Sequence, residues 1–464
     1  MQAAGTKNKI DMLNGPIWNK IPQFALPVAA TAILEQLFNA SDVAVVGNFT
    51  GENSTVAVAA VGANSPIIGL ILNLFIGIAL GANVVIATAI GQDDRKTVGR
   101  AVHTAIIMSV VGGVLVALLG QLAAGPLLGM LNVPEDVFPF ALLYLRIYLL
   151  GLPVIFLYNF EAAIFRSVGD TKTPLAALTF SGVLNFLLNL FFVIVLKMTV
   201  NGVAVATVIS NAVSSLLLLY RLTHTDMAIR VTRQALRLDA SIFRKIIRIG
   251  LPAGVQSAVF AFANIIVQSA INSLGTVVIA GSSAAYNLEI LAYYMFNSFS
   301  QACTTFVGQN YGARKIDRCR KTFVLCLVED AIFSEALVGI ILYFGHPLLA
   351  LFNRDPEVIA LGYTRLTIIF FGYIFSMLYE LMSSYLRGFG ISLAPALLTM
   401  LGVCGTRIGW VQWVFPQHPD FHTLMLVYPL SLAVTAFLML GALLVCRPTT
   451  RLKKQQKEKE KQEA

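Results

Sequence analysis

Apolar runs of about 20 residues recur along the whole of this 464-residue chain, which is 57% hydrophobic and only 12% charged. A helix rising 1.5 Å per residue needs about 20 such residues to cross the hydrocarbon of a bilayer. A soluble domain carries about twice this share of charge. The sequence therefore reads as an all-α polytopic membrane protein. Twelve transmembrane segments are expected, near residues 22–48, 56–88, 101–124, 138–165, 174–196, 201–222, 245–273, 282–307, 322–344, 357–386, 395–416 and 423–446. The polar N-terminus has no apolar core followed by a small-residue cleavage site, so no signal peptide is read.

Charge placement gives the orientation. Of the 33 Lys and Arg, 28 fall in the termini and in every second loop, including GQDDRKTVGR, RSVGDTKTP and GQNYGARKIDRCRK. The positive-inside rule puts those loops and both termini in the cytoplasm, in the cell (inner) membrane. The net charge of +9 is then a topology signal, with no nucleic-acid partner implied. The five Cys (303, 319, 326, 404, 446) form no CxxC pair and read as reduced thiols or small apolar fillers. The charged end, RLKKQQKEKEKQEA, reads as a solvated, unordered cytoplasmic tail.

The chain repeats itself. RSVGDTKTP at 166–174 returns as RGFGISLAP at 387–395, and Leu26-Pro27 returns as Leu251-Pro252. Gly91-Gln92 matches Gly308-Gln309, and Tyr144-Leu-Arg146 matches Tyr363-Thr-Arg365. Two six-helix lobes follow, 1–222 and 245–446, joined by a cytoplasmic linker at 223–244 and ending in a charged tail at 447–464. The linker has an amphipathic look (Met227, Ile229, Val231, Leu236, Leu238). An even number of spans per lobe keeps both copies in one orientation, so a pseudo-two-fold axis along the membrane normal is expected.

Three motifs carry a resemblance: LPVAATAILEQLFNASDVAVVGNFTG in the first span, RSVGDTKTP, and LNFLLNLFFV with VNGVAVATVISN in spans five and six. From about Pro16 to Cys446 the chain resembles the multidrug and toxic compound extrusion (MATE) family of cation-coupled exporters. That resemblance implies two six-helix lobes around a V-shaped cavity, and export by antiport with H⁺ or Na⁺. RGFGISLAP lacks the Asp that follows Gly in the family's phrase.

Carboxylates inside a span are costly and point to function. Span one holds Glu35, Asn39 and Asp42; a seven-residue spacing puts both acids on one helix face, with Asn39 beside them. Asp42 matches the family's span-one acid, implicated in cation binding, whereas Glu35 stands where a Gln is usual. Asn185 and Asn189 share a face of span five; part of the family has Asp at the second position. These five are the candidate coupling residues. Span seven lacks the acid some relatives carry after its Pro, which favours coupling in the N-terminal lobe. Asn159 in span four, and Glu289 and Tyr293 in span eight, are candidate substrate contacts, the carboxylate and aromatic face suiting an organic cation. Glu161 in span four is a further polar candidate, and Glu380 in span ten and Arg407 in span eleven are each expected to pair with other groups in a structural role. Pro27 and Pro252 are candidate hinges, because proline loosens helical hydrogen bonding. The external His418-Pro-Asp420-Phe-His422 stretch is a weak metal motif, and no metal is assigned.

The expected function is a secondary transporter, acting as a monomer on small-molecule substrates in the lipid bilayer, with no cofactor beyond the coupling ion, H⁺ or Na⁺. A lipid-linked oligosaccharide flippase is the alternative within transport; its pyrophosphate would call for a cationic cavity, and only a few basic residues, Arg146, Arg365 and Arg407, lie well inside a span. An intramembrane enzyme is the alternative outside transport. The chain has no HExxH, GxSxG or GxxxxGK[ST] sequence.

Overall fold

The computed structural model describes residues 9–463, and among them every regular element is helical. In chain order the helices are α1 (Lys20–Phe49), α2 (Ser54–Gly91), α3 (Arg95–Met130), α4 (Phe138–Leu150), α5 (Leu152–Ser167), α6 (Lys172–Leu190), α7 (Val200–Thr223), α8 (Ala240–Asn272) and α9 (Thr276–Gly312). They continue as α10 (Ile316–Tyr343), α11 (Gly345–Ala350), α12 (Pro356–Gly388), α13 (Leu393–Thr399), α14 (Thr406–Gly409), α15 (Phe421–Met425), α16 (Val427–Cys446) and α17 (Pro448–Glu463). Each of the twelve expected apolar segments coincides with one of these helices or with a broken helix. The fourth breaks at Gly151, where α4 and α5 meet at 50°; Pro153, just beyond, has no N–H to give the preceding turn. The eleventh carries wide π turns at Met400–Gly405 and Trp410–Val414. By length and hydropathy α9 and α10 are the two long helices that fall short of a typical span. Their polar residues lower the average: Glu289 and many Ser, Thr and Asn in α9, and Glu329, Asp330, Ser334 and Glu335 in α10.

The chain forms two compact units. The first comprises Ala30–Leu251 with Lys9 and Ile10; the second comprises Asp11–Ala29 and Pro252 onward. Both crossings inside a helix lie beside a proline: within α1 just after Pro27, and within α8 at Pro252.

In the first unit a core of small and branched side chains from α2, α3, α5 and α7 closes over the start of α8, with Phe160, Ile164, Leu218, Leu222 and Ile246 fully buried. Small residues let backbones touch. A Cβ on Gly81 would lie 2.4 Å from the Ile246 carbonyl oxygen, and one on Gly250 would lie 2.6 Å from the Ile78 Cα. In the second unit Gly281 and Gly362 do the same for α9 and α12.

Residues 224–239 form a non-helical strap with a single 3₁₀ turn at Arg233–Ala235, and the expected linker ends sooner than residue 244 because 240–244 are already the first turn of α8. Ile229 and Val231 are buried in the core, whereas Leu236 and Leu238 are exposed. Two side chains of α3 receive its backbone: Thr232 N donates to His103 Nε2 (3.0 Å) and Asp239 N donates to Thr104 Oγ1 (3.1 Å). Asp239 then caps α8 and pairs with Arg100 at 3.1 Å. Its carboxyl is held down to about 2, chiefly by the Ser241 hydroxyl and then by the Ile242 N–H. The cap therefore stays ionised throughout the physiological range.

The repeated phrase folds the same way twice. After α5, Asp170 N donates to Phe165 O (3.0 Å) and Gly169 N to Arg166 O (3.0 Å). After α12, Ile391 N donates to Leu386 O (3.1 Å) and Gly390 N to Arg387 O (2.8 Å). This paired closure requires a left-handed residue, and Gly169 (φ 85°) and Gly390 (φ 79°) supply it. Asp170 also caps the next helix, accepting from Thr173 N and Oγ1 (3.0 and 2.6 Å). In the second copy Ile391 replaces it and α13 has no side-chain cap.

The tail departs from the unordered reading: α17 is a helix through Glu463, and Lys453 pairs with Asp317 of α10. Lys, Gln, Glu and Arg are good helix formers, and a partner on α10 anchors the helix.

Two stability predictions follow from these contacts, both read by thermal unfolding in detergent. Gly81→Ala is expected to lower the midpoint, whereas Gly62→Ala, on an open helix face with nothing within 4 Å, is expected to hold or raise it by up to about 1 kcal/mol. Gly169→Ala and Gly390→Ala are each expected to cost about 1 kcal/mol, the penalty of a side chain in the left-handed region.

Candidate functional site

Asp42 sits about three-quarters of the way along α1 and is 5% exposed. Gly182 of α6 admits the Phe38 ring one turn earlier: a Cβ there would overlap it. That contact sets α1 against α6 at the level of the two asparagines. Asn189 Nδ2 donates to Asp42 Oδ1 at 2.5 Å and lies 3.2 Å from Asn185 Oδ1. Thr207 of α7 places its Oγ1 3.0 Å from Asp42 Oδ2 and 3.0 Å from the Val203 carbonyl. Asn185 Nδ2 donates to Thr207 Oγ1 at 3.4 Å. Tyr144 and Tyr148 of α4, both buried, are near enough to feel the Asp42 charge. Among the described residues Asp42 forms no ion pair, and its hydrogen-bond partners Asn189 and Thr207 are neutral.

A hydroxyl has one hydrogen, so Thr207 cannot donate to Asp42 and Val203 together. With Asp42 ionised, Thr207 donates to it. With Asp42 protonated, the carboxyl donates to Thr207, whose hydrogen turns to Val203. The same atoms satisfy both charge states. Among the described residues, Asn189 Oδ1 is buried with no hydrogen-bond partner.

Three of the five expected coupling residues thus meet: Asp42, Asn185 and Asn189. Glu35 and Asn39 stand outside this hydrogen-bonded set and are exposed; the charge nearest Glu35 in effect is Arg166. Asn159 is half-buried and its amide bonds back to Ile155 O at 2.9 Å. Beside it Glu161 is wholly buried, accepting from Ser215 at 3.2 Å.

In the second unit Glu289 is an ion-pair partner. Arg365 Nη2 and Nε reach its Oε2 at 2.8 and 3.1 Å, and Arg365 Nη1 donates to Ser282 Oγ at 2.6 Å. Tyr373 donates to the Glu289 carbonyl at 3.4 Å. The carboxylate that the sequence offers to a cationic ligand is already neutralised by a buried guanidinium. Tyr293 is half-buried, edge-on to Phe296 at 5.1 Å. Arg407 lies over Tyr428 (4.6 Å) and Phe260 (5.0 Å) and bonds Asn264 and Ser431. Arg387 donates to Gln256 Oε1 at 2.9 Å. Asp420 caps α15 by accepting from Thr423 N at 2.9 Å.

Sequence reasoning misses two features. Thr207 carries no signal beyond its place in VNGVAVATVISN. Glu329, Asp330 and Glu335 do carry one, since VEDAIFSE interrupts the ninth apolar segment with three carboxylates.

The MatE family model matches the chain over residues 27–191 and again over 252–410, starting at the two prolines. Among curated proteins, a probable multidrug resistance protein of Bacillus subtilis is 26% identical over 92% of this chain and 93% of its own length. A probable multidrug resistance protein of Thermotoga maritima is 26% identical over 84% of each. An FAD transporter of Shewanella oneidensis is 23% identical over 76% of this chain and 78% of its own. Among solved structures, an outward-facing multidrug resistance MATE transporter superposes with a TM-score of 0.86 over 97% of this chain and all of its own, at 22% identity. A MATE structure in a bent conformation gives 0.85 over 96% and 98%, also at 22%. The shared fold has twelve membrane helices, α9 and α10 included. With the family pattern matched in both halves and the fold shared end to end, the chain belongs to the MATE family and is a multi-pass membrane protein.

Proposed function

We propose that this chain is a cation-coupled antiporter that exports small organic molecules, cationic ones foremost, with Asp42 as the coupling carboxyl. One observation carries the reading: Asp42 is buried without a counter-charge among neutral groups that fit it both with and without a proton. A carboxylate in that position gains a proton or a cation and loses it again at little structural cost. Occupancy by H⁺ or Na⁺ neutralises the site, and a transporter that prefers substrate in the vacant state moves the two in opposite directions. The Thr207 geometry supports H⁺; the leftover Asn189 oxygen is what the site offers Na⁺.

The relatives' names support export, and they span multidrug resistance and FAD transport, so substrate breadth is part of the proposal. The buried arginines support it over a flippase: Arg365 and Arg407 are engaged with Glu289, Asn264 and Ser431. Pro27 and Pro252, where the helices pass between units, are the proposed bending points. Both termini are placed in the cytoplasm of a cell membrane, on the charge pattern, and one chain is taken as the working unit.

The test is counter-flow in liposomes holding an internal pH dye, with ethidium as substrate, with and without Na⁺. Ethidium-driven proton movement is expected, and Asp42→Asn is expected to abolish it while leaving the protein folded. Movement that requires Na⁺ would assign the site to sodium. Full activity in Asp42→Asn would overturn the assignment. Thr207→Val is expected to cut counter-flow about tenfold, the worth of one hydrogen bond to a charged group, and Thr207→Ser is expected to restore it.

A further inference from the structure

The second unit buries a positive charge that nothing around it balances. Arg407 is 1% exposed, and among the described residues it is in no ion pair. Its neighbours bring no acid. α8 beyond Pro252, the broken helix from Leu393 to Gln417 and α16 contain no Asp or Glu. Arg365 and Arg407 both lie over the Tyr428 ring, at 5.4 and 4.6 Å. Of the two, only Arg365 has a carboxylate, Glu289. Two guanidiniums and one carboxylate leave one net positive charge in a low-dielectric interior, which is costly unless something pairs with it.

The hydrogen bonds leave the same remainder. A guanidinium has five N–H groups. Arg407 Nε donates to Ser431 Oγ at 3.2 Å and Nη1 donates to Asn264 Oδ1. Nη2 has no acceptor among the described residues, and it is not fully enclosed by protein, unlike the unpaired Nε of Arg387. A tie between Ser431 and Asn264 needs only a neutral donor. A full charge there, with donors to spare, exceeds what the scaffold uses.

The surrounding helices hold the group in a fixed plane. Phe260 and Asn264 are one turn apart on α8, and Tyr428 and Ser431 are neighbours on one face of α16. Each helix thus supplies one ring and one acceptor. The Phe260 ring lies 5.0 Å from the guanidinium carbon, and Cys404 Sγ reaches the Val259 carbonyl at 3.4 Å beside it. An independent feature lies on the helix that carries the arginine. The π turns at Met400–Gly405 and Trp410–Val414 leave only Thr406–Gly409 as regular helix around Arg407. Wide turns of this kind re-aim side chains and recur at binding sites.

We propose that Arg407, with Asn264 and Ser431 holding two of its nitrogens, is an anion-binding site of the C-terminal unit that takes a carboxylate on an aromatic or otherwise planar organic molecule. The free edge of the planar fork matches a carboxylate, and the Phe260 and Tyr428 rings favour a flat neighbour. One guanidinium balances one carboxylate. A pyrophosphate would need more charge, and Arg365 is already spent on Glu289. The carboxylate belongs either to an exported molecule or to a free small acid. Its place in export rests on the antiport reading; the site itself does not.

The test is equilibrium dialysis of radiolabelled hippurate, an aromatic carboxylate ionised at neutral pH, against the intact protein in nanodiscs at fixed chloride. Its neutral amide, hippuramide, is the control. Saturable binding is expected, displaced by unlabelled hippurate and not by hippuramide. Arg407→Gln is expected to weaken it at least about tenfold, the worth of one charge-assisted hydrogen bond. Asn264→Asp gives Arg407 a carboxylate of its own, so it is expected to weaken binding as much, and it carries the test if Arg407→Gln does not fold. Absence of saturable binding, equal displacement by hippuramide, or undiminished binding in both variants would overturn the proposal. Hippurate counter-flow in liposomes then separates the sources: exchange assigns the carboxylate to a transported molecule, and binding without exchange assigns it to a free acid. Asp42→Asn is run alongside; it is expected to bind hippurate normally, so failure of the coupling assignment and failure of this site give different results.

Discussion

A carboxyl group inside a low-dielectric helix bundle has three ways to exist: beside a buried cation, in a network of hydrogen bonds, or with a proton. The first two are visible in this protein, and the choice made at each position decides whether the carboxyl's charge is fixed by a counter-charge. Glu289 takes Arg365, and the pair ties α9 to α12. Asp42 takes one amide and one hydroxyl, which bring α1, α6 and α7 together without cancelling its charge. Glu329 and Asp330 take one serine between them. A fixed guanidinium makes a carboxylate permanent; neutral neighbours leave its charge free to change.

What the sequence makes legible follows from distance along the chain. The helical frame is read from local composition. The relation of Asn185 to Asn189, one turn apart, follows from helix geometry, and Asp42 stands out as an acid inside an apolar run. Their meeting across 147 residues is not a local property; the family resemblance suggests it. Thr207 escapes notice because a threonine in a membrane helix ordinarily bonds its own backbone, as this one also does. Glu289 looks available because its partner lies 76 residues away. The carboxylates of α10 are visible but are averaged into an otherwise apolar segment, and the same averaging makes α10 fall short as a span.

The duplication is a duplication of backbone geometry more than of chemistry. Both copies of the loop phrase close their helix with the same pair of hydrogen bonds and a left-handed glycine. Around that shared turn the side chains differ. Asp170 caps the first copy and Ile391 leaves the second uncapped. The buried carboxyls correspond only in part: α5 and its counterpart α12 carry Glu161 and Glu380, whereas Asp42 on α1, Asp170 after α5, Glu289 on α9 and Glu329 and Asp330 on α10 have no acid at the matching place in the other half. Each half has kept its architecture while changing most of its titratable groups.

The shared hydrogen of Thr207 has a mechanical consequence. In the cycle proposed above, a proton on Asp42 would release the Thr207 hydroxyl to the Val203 carbonyl one turn back, and hydroxyls bonded in that way often bend the helix that carries them. A chemical event on α1 would thereby become curvature of α7, a helix with no titratable group at that level. The signal leaves the site through a neutral side chain and enters the backbone directly.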